Sequence, residues 1–390
     1  MTMPLQRIYL DYAAGTPLLP EVKQAMAAAL EEQGNPSSIH ADGRRARQLL
    51  ERARVQVAEL FNAAATEIFL TACGSESNSW ALRGLFAANK RKGNHLIISA
   101  IEHPSVSLTA RRLELDGAHV TILPVDCEGV VSIVDLKAAM RSETVLVSIM
   151  LANGEVGTVE PLKEIAAAAH ELGALVHTDA VAAVGHLSID VRALDIDALS
   201  FAASQLYGPQ GAAGLFVRDG VRILPLIEGG GQERGARSGT EAVAPIVGMG
   251  AAAASARRTL PERAVRLAGL RDRLREGLCD RLQGLRINGS WSSRLPHNLH
   301  VCIEGVSSES LVLALDQAGI ACGIGSACNS KAMRPSHVLK AMGLTDEQAK
   351  GALVISVGVP TSEAEITRAI EVIPEVTERV RRVTLLTARA

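Results

Sequence analysis

Apolar positions recur every three to four residues through "EVKQAMAAALEE" (21–32) and "GRRARQLLERARVQVAELF" (43–61), the period of an amphipathic helix. A different pattern follows. "HLIISAIEHPSV", "HVTILPV", "TVLVSIMLAN" and "ALVHTDA" are short runs of consecutive apolar residues rich in β-branched side chains. Helical stretches such as "PLKEIAAAAHELG" lie between several of them, and "EIFLTACGSESNSWALRGLFAAN" reads as strand, glycine–serine turn and helix. Apolar strands alternating with helices predict a mostly parallel sheet covered on both faces. "SFAAS" and "AGLFVRD" add two more strands. The long helical stretch from "TEAVAPIVGMG" to "REGLCDRL" carries a breaker at Pro261 and is expected to cross into a smaller unit. There "HNLHVCIEG" and "LVISVGV" read as strands around the helix "SSESLVLALDQAG". The expected division is a large α/β domain over 15–255 and a smaller α+β domain from 1–14 with 256–390.

Composition narrows the class. The 390 residues are 47% hydrophobic and 21% charged, enough to bury a sizeable core. The formal net charge of -2 provides no basic field, so direct contact with DNA is not expected. No run reaches the roughly 18 apolar residues of a membrane span. "MTMPLQRIYLDYAAGTPL" lacks the apolar centre of a signal peptide. Six scattered cysteines (73, 127, 279, 302, 322 and 328) show neither metal-site spacing nor a disulfide framework. A reducing cytoplasm is the expected location, with no metal held by the chain itself.

Several positions carry candidate chemistry. In "TACGSESN", Gly74 and Ser75 leave a strand for a helix, where backbone N–H groups and a hydroxyl can meet a phosphate; an ordinary capped turn is the alternative. His103 follows a strand and precedes a proline. Asn153 ends another apolar strand, at the usual ligand edge of an open α/β sheet, or else makes an Asx turn. Asp179 ends a third, and a carboxylate there needs a partner: a pyridinium nitrogen, an arginine or a backbone N–H. "GGGQERGARSGT" (229–240), with Arg237 and Thr240, can approach an anion or another subunit closely. Cys328 stands in a small-residue loop before a helix, with Lys331 three residues on, a setting that favours thiolate.

In this order, these segments resemble the cysteine desulfurases of the nitrogen-fixation and iron–sulfur-assembly type, within the class V aminotransferase group. The motifs include "YLDYAAGTPLLPEV", "GNPSSIH", "EHPSV", "SIMLANGEVGTVEPL", "HTDA", "YGPQGAAGLFVR", "GGGQERGARSGT" and "GSACNSK". The resemblance implies a homodimer of the pyridoxal-phosphate-dependent transferase fold, type I. It implies conversion of L-cysteine to L-alanine, with a persulfide on Cys328 passed to a sulfur-acceptor or iron–sulfur scaffold protein. By position, His103 would stack on the cofactor ring and move protons, and Asp179 would hold the pyridine nitrogen. Asn153 would lie near the ring oxygen. Gly74 and Ser75 would hold the phosphate, joined by Thr240 of the other subunit, with Ala202 and Ser204 where a hydroxyl and an imidazole usually help grip it. Asn35 and Arg237 would face substrate or the subunit interface.

The resemblance also exposes a gap. In the family the strand before "YGP" ordinarily ends Ser-Gly-His-Lys, and that lysine forms the Schiff base with the cofactor. Here the positions read Ala202-Ala203-Ser204-Gln205, and no lysine occurs between Lys163 and Lys331. An amide cannot form an imine, because its nitrogen lone pair is delocalised. Ala182 replaces a glutamine that usually meets the ring oxygen, and Val354 an arginine that usually clamps the substrate carboxylate. Any pyridoxal phosphate is therefore expected to be held non-covalently. Three functions follow: a diverged sulfur-handling protein, which can keep Cys328 as persulfide carrier or as cluster ligand on a partner; a slow true desulfurase acting on cysteine; and a non-catalytic dimeric scaffold.

Overall fold

Apolar residues alternate between two cores along each strand of the main sheet. The computed structural model describes residues 7–325 and 335–387. After β1 (Ile8–Tyr9) come the seven strands of that sheet: β2 (Ile68–Thr71), β3 (His95–Ser99), β4 (His119–Leu123), β5 (Thr144–Ser148), β6 (Leu175–Asp179), β7 (Ala198–Ala202) and β8 (Ala213–Val217). Their order is β2-β8-β7-β6-β5-β3-β4. Only β8 runs against its neighbours, so six strands present their carboxyl ends along one edge. β3, β5, β7 and β8 are buried along their whole length. On β3, Leu96 and Ile98 enter one core and Ile97 the other; on β8, Leu215 and Val217 oppose Phe216 in the same way. The period of two delivers side chains to both faces, and helices cover each.

Two buried histidines cross-link the sheet. His95 reaches Thr144 Oγ1 and Thr121 Oγ1, each at 2.8 Å, joining β3 to both neighbours. His177 reaches Ser148 Oγ at 2.8 Å and Ser200 Oγ at 2.9 Å across β5, β6 and β7. Burial pushes the His177 imidazole down to about 3, so the ring is neutral.

A second core lies beneath the antiparallel strands β9 (Leu285–Asn288), β10 (Asn298–Ile303) and β12 (Ala352–Ser356), ordered β12-β10-β9, with β1 pairing parallel to β11 (Ile320–Ala321). The helix Val243–Cys279 serves both cores: Ile246, Met249 and Ala252 pack in the first, Leu267, Leu270 and Leu274 in the second. It runs unbroken through Pro261, contrary to the break expected there. Position 261 and the carbonyl-bearing Arg257 one turn earlier are both exposed, so solvent can serve the carbonyl that proline leaves without a donor. Among the described residues no helix is long and apolar enough to cross a membrane.

Candidate active site

The carboxyl-end edge of the sheet gathers most of the expected residues. β2 turns through Cys73 into the helix Gly74–Ala88. β3 leads to His103, β5 to Asn153, and β7 to a 3-10 turn ending at Gln205; β6 ends on Asp179 itself.

Asp179 is the buried centre. Its Oδ2 accepts from Asn78 Nδ2 at 2.6 Å and its Oδ1 from the Val181 N–H at 2.9 Å. Burial raises its carboxyl above the usual range, against Val181, Asn78 and His103, which favour the charged form. Both hydrogen-bond partners are neutral, so a cation at this carboxylate would offset its desolvation.

Asn78 spends its amide protons on two groups. Besides Asp179 it donates to Ser105 Oγ at 2.9 Å. That hydroxyl lies 2.7 Å from His103 Nδ1, which also accepts from the Ser105 N–H at 3.1 Å as it caps the helix Pro104–Leu115. A nitrogen that accepts a backbone N–H carries no proton, so the neutral ring holds its proton on Nε2. The chain Asp179–Asn78–Ser105–His103 thus fixes both position and tautomer of an exposed imidazole. Neither Asn78 nor Ser105 was singled out in the sequence. The signal available was spacing: Asn78 lies one helical turn after Gly74, on the same face.

Gly74 opens its helix with no side-chain cap, leaving first-turn N–H groups for an anion. A Cβ at Gly74 would fall 2.6 Å from Val181 Cγ2, so only glycine lets the helix start lie against the exit of β6. Ser75 is exposed and borders an open cavity of about 350 Å³ shared with Ser79, Arg83, His103, Ser105 and Thr109. Asn153 is buried and internally engaged: Oδ1 accepts from the N–H groups of Glu155 (2.9 Å) and Val156 (3.0 Å), and Nδ2 donates to the Ile101 carbonyl at 3.1 Å. Beneath His103, Glu102 is fully enclosed; burial pushes its carboxyl up to about 8 while Oε1 accepts from Ser99 and Met150.

Gln205 lies where the family resemblance places the lysine. Its Nε2 donates to the Ala13 carbonyl at 3.0 Å. Ser204 offers its carbonyl to Thr16, whose N–H and Oγ1 donate at 3.0 and 2.8 Å. Val354 is buried in β12, with Gly323 hydrogen-bonded to its backbone. Ala182 is half-buried beside Gly154.

The segment 229–240 is pinned to its own chain. Glu233 accepts from Arg54 through both carboxylate oxygens at 2.7 Å, and from the Leu70 N–H at 2.8 Å. Arg237 pairs with Glu76, at 2.8 and 3.3 Å, next to Ser75. Thr240 is exposed, as is Asn35, whose Oδ1 accepts the Ser37 N–H at 2.9 Å. Cys328 and Lys331 lie outside the described residues.

A pyridoxal phosphate fits this donor set at three points: a buried carboxylate with neutral partners for the ring nitrogen, a fixed imidazole for the ring, and an uncapped glycine helix start for the phosphate. Among the described residues, position 205 offers it an amide and no amine for covalent attachment.

Comparison with known proteins gives the family and the fold. The model of the aminotransferase class-V family matches residues 8–368. Cysteine desulfurase IscS of Clostridium botulinum is 44% identical over 379 residues, 96% of each chain. An IscS-like cysteine desulfurase of Mycobacterium tuberculosis is 41% identical, covering 98% of this chain and 99% of its own. A solved NifS-like protein superposes with a TM-score of 0.90 at 34% identity, covering 96% of this chain and all of its own. A solved complex of SspA with cysteine gives 0.80 at 34% identity over 90% of this chain and 98% of that one.

Proposed function

The chain belongs to the class-V aminotransferase family, in its cysteine desulfurase branch, and from that premise we propose that it is a sulfur-handling protein with altered cofactor chemistry. Its Cys328 thiolate takes sulfane sulfur from the persulfide of another, sulfur-supplying enzyme, whose own thiolate leaves, and passes it on to an acceptor or iron–sulfur scaffold protein. It holds pyridoxal phosphate without a covalent bond. The cofactor supplies an electron sink for chemistry at the α-carbon of an amino acid. The chain's own residues bind and orient it: Asp179 at the ring nitrogen, His103 on the ring face, and Asn153 on the side of the ring oxygen. Gly74, Ser75 and Ser204 lie at the phosphate, with Thr240 of a second copy.

The observation that carries this reading is Asp179. A scaffold has no use for a carboxylate buried at a sheet edge, where Val181, Asn78 and His103 offset its desolvation only in part. Its retention, tied through Asn78 and Ser105 to His103, favours a working cofactor pocket. The same network supports a second reading, slow desulfuration of free cysteine by this chain.

Thiol ranking tests the sulfur-handling role. Burial pushes Cys302 up to about 11 and Cys322 higher still, which removes both as nucleophiles at neutral pH. Cys73, Cys127 and Cys279 are exposed and compete with Cys328. Alkylation at limiting reagent, read by peptide mass, is expected to label Cys328 first. Incubation with L-cysteine and the cofactor is expected to release no alanine above the cofactor-only control; slow but sustained release, abolished by Cys328→Ser, would favour the second reading. If Cys328 labels no faster than the three exposed thiols, and Cys328→Ser leaves sulfur transfer unchanged, the proposal fails.

A further inference from the structure

The orientation of one amide distinguishes two forms of the cofactor. Gln205 is 9% exposed, and its Nε2 donates to the Ala13 carbonyl at 3.0 Å. That carbonyl is held in place from both sides. The Ala13 N–H donates to Ser356 Oγ at 2.8 Å. Three residues on, Thr16 donates twice to the Ser204 carbonyl and accepts the Tyr207 N–H at 2.8 Å. A carbonyl oxygen can only accept, so rotating the Gln205 amide by half a turn would set two acceptors against each other. The amide is therefore fixed with Nε2 toward Ala13 and Oε1 on the other side. No described residue donates to Oε1.

We infer that the site selects the amine form of the cofactor, pyridoxamine phosphate, over the aldehyde form, because Ala13 fixes Gln205 with its oxygen left to accept. The inference rests on the reading of this pocket as a pyridoxal-type cofactor site. β6 and β7 are adjacent, with Asp179 opposite Ser200, so the turn carrying Gln205 leaves the sheet beside the carboxylate assigned to the ring nitrogen. The ring and phosphate are common to both forms, and their contacts cancel in the comparison. What differs is the substituent next to the ring oxygen. An aminomethyl group is a protonated donor and makes a charge-assisted hydrogen bond to an amide oxygen. An aldehyde oxygen is a second acceptor and is repelled by Oε1. In ordinary family members a lysine compensates by forming an imine with that aldehyde. Here no lysine lies between Lys163 and Lys331, so the aldehyde gains nothing in exchange.

Titration of the purified full chain, freed of any bound cofactor, tests this. Pyridoxamine phosphate and pyridoxal phosphate are titrated separately by calorimetry in an amine-free buffer. 4-Deoxypyridoxine phosphate, which lacks both groups, gives the baseline. The amine form is expected to bind at least about tenfold more tightly than the aldehyde, a difference of about 1.4 kcal/mol. Gln205→Ala is expected to bring the two within about twofold, by weakening the amine form and relieving the repulsion of the aldehyde. Equal or tighter binding of the aldehyde, an amine form no tighter than the deoxy compound, or an unchanged ratio in Gln205→Ala would overturn the inference while leaving a cofactor site in place. If none of the three ligands binds at millimolar concentration, the cofactor-site reading itself falls, and this inference with it.

Discussion

Asn78 donates to Asp179 at 2.6 Å from the second turn of the helix that Gly74 begins, so the uncapped helix start and the support of the buried carboxylate share one rigid element. The second amide proton of Asn78 goes to Ser105, which sets the His103 ring. Three sheet exits are thereby coupled through one side chain.

Removing that side chain should be felt in stability and in binding. Asn78→Ala leaves Asp179 Oδ2 buried without its donor, at a cost of about 1–3 kcal/mol. Asn78→Asp sets a second carboxylate against Asp179, and one of the two must hold a proton. Urea denaturation is expected to show the alanine variant destabilised by a similar amount at pH 6 and pH 8. The aspartate variant should be destabilised more, and increasingly as pH rises. Equal stability of Asn78→Ala and the parent chain would show that the amide does not support Asp179.

Buried titratable groups set the pH range of stability. Burial pushes Glu102 up to about 8, Glu155 and Glu160 to about 7, and Asp11 to about 6. Each is protonated in the folded state at pH values where the unfolded chain has released the proton. Each therefore loses stabilising effect as pH rises from its unfolded value of roughly 4 toward its folded one. Burial acts oppositely on imidazoles. His177, His297 and His300 are pushed down to about 3, and His186, stacked on His297 at 3.6 Å, also falls well below the usual value. These stay neutral when folded, so stability is lost as pH falls below about 6.5. The two sets oppose each other between roughly pH 4.5 and 6.5, giving a broad maximum there. Above it the buried carboxyls act, and below it the histidines, joined by hydrogen-bonded carboxylates such as Glu67 and Asp195 that are held below the usual range. Denaturation at half-unit steps from pH 4 to 8.5 checks this; stability that climbs from pH 6.5 to 8 would contradict it.

Much of this site can be read from the sequence because strand ends can. An apolar run that stops at a polar residue marks a sheet edge, and that rule alone brings out His103, Asn153 and Asp179. Gly74 is legible for a similar reason, since a glycine between strand and helix marks close approach. What escapes is pairing across the fold. Asn78 and Ser105 lie on different helices, and nothing local shows that the two meet. Gln205 and Ala13 are 192 residues apart, so the missing lysine is visible in the sequence while the bond that replaces it is not. Pro261 misleads because helix breaking is a local rule, and the rule fails where solvent serves the freed carbonyl.

The glycine-rich segment provides a further case. Its composition suggests a mobile turn, yet Glu233 and Arg234 adopt left-handed backbone angles, with φ of 47° and 60°. Such angles persist in non-glycine residues when surrounding contacts impose them. Arg54 supplies the contact: its guanidinium and the Glu233 carboxylate are both almost fully buried. Glu233→Ala is expected to destabilise the chain by about 1–3 kcal/mol, because it removes the buried partner of Arg54 and leaves that guanidinium only the half-exposed Glu51 and the Ile68 carbonyl. Replacing Arg54 and Glu233 together with methionine and leucine should cost far less. A double variant as unstable as Glu233→Ala would show that packing, not charge pairing, anchors the segment.

Restoring the amine asks how much of the pocket is still competent. Gln205→Lys places a primary amine on the buried turn that leaves β7, already fixed by Thr16 and Tyr207. An amine in such an enclosed position loses charge more easily than in water, which favours attack on an aldehyde. The variant, supplied with pyridoxal phosphate, is expected to turn yellow, and borohydride should fix the cofactor to residue 205 as read by peptide mass. The parent chain should release its cofactor on gel filtration and show no labelled peptide there. The substitution also removes the amide oxygen, so preference between cofactor forms should reverse toward the aldehyde. Turnover of cysteine should stay low, because Val354 still provides no cation for the substrate carboxylate; Val354→Arg added to Gln205→Lys should raise alanine release further. A Gln205→Lys protein that remains colourless in excess cofactor would mean that Gly74, Ser75 and Asp179 no longer hold the ring and phosphate together.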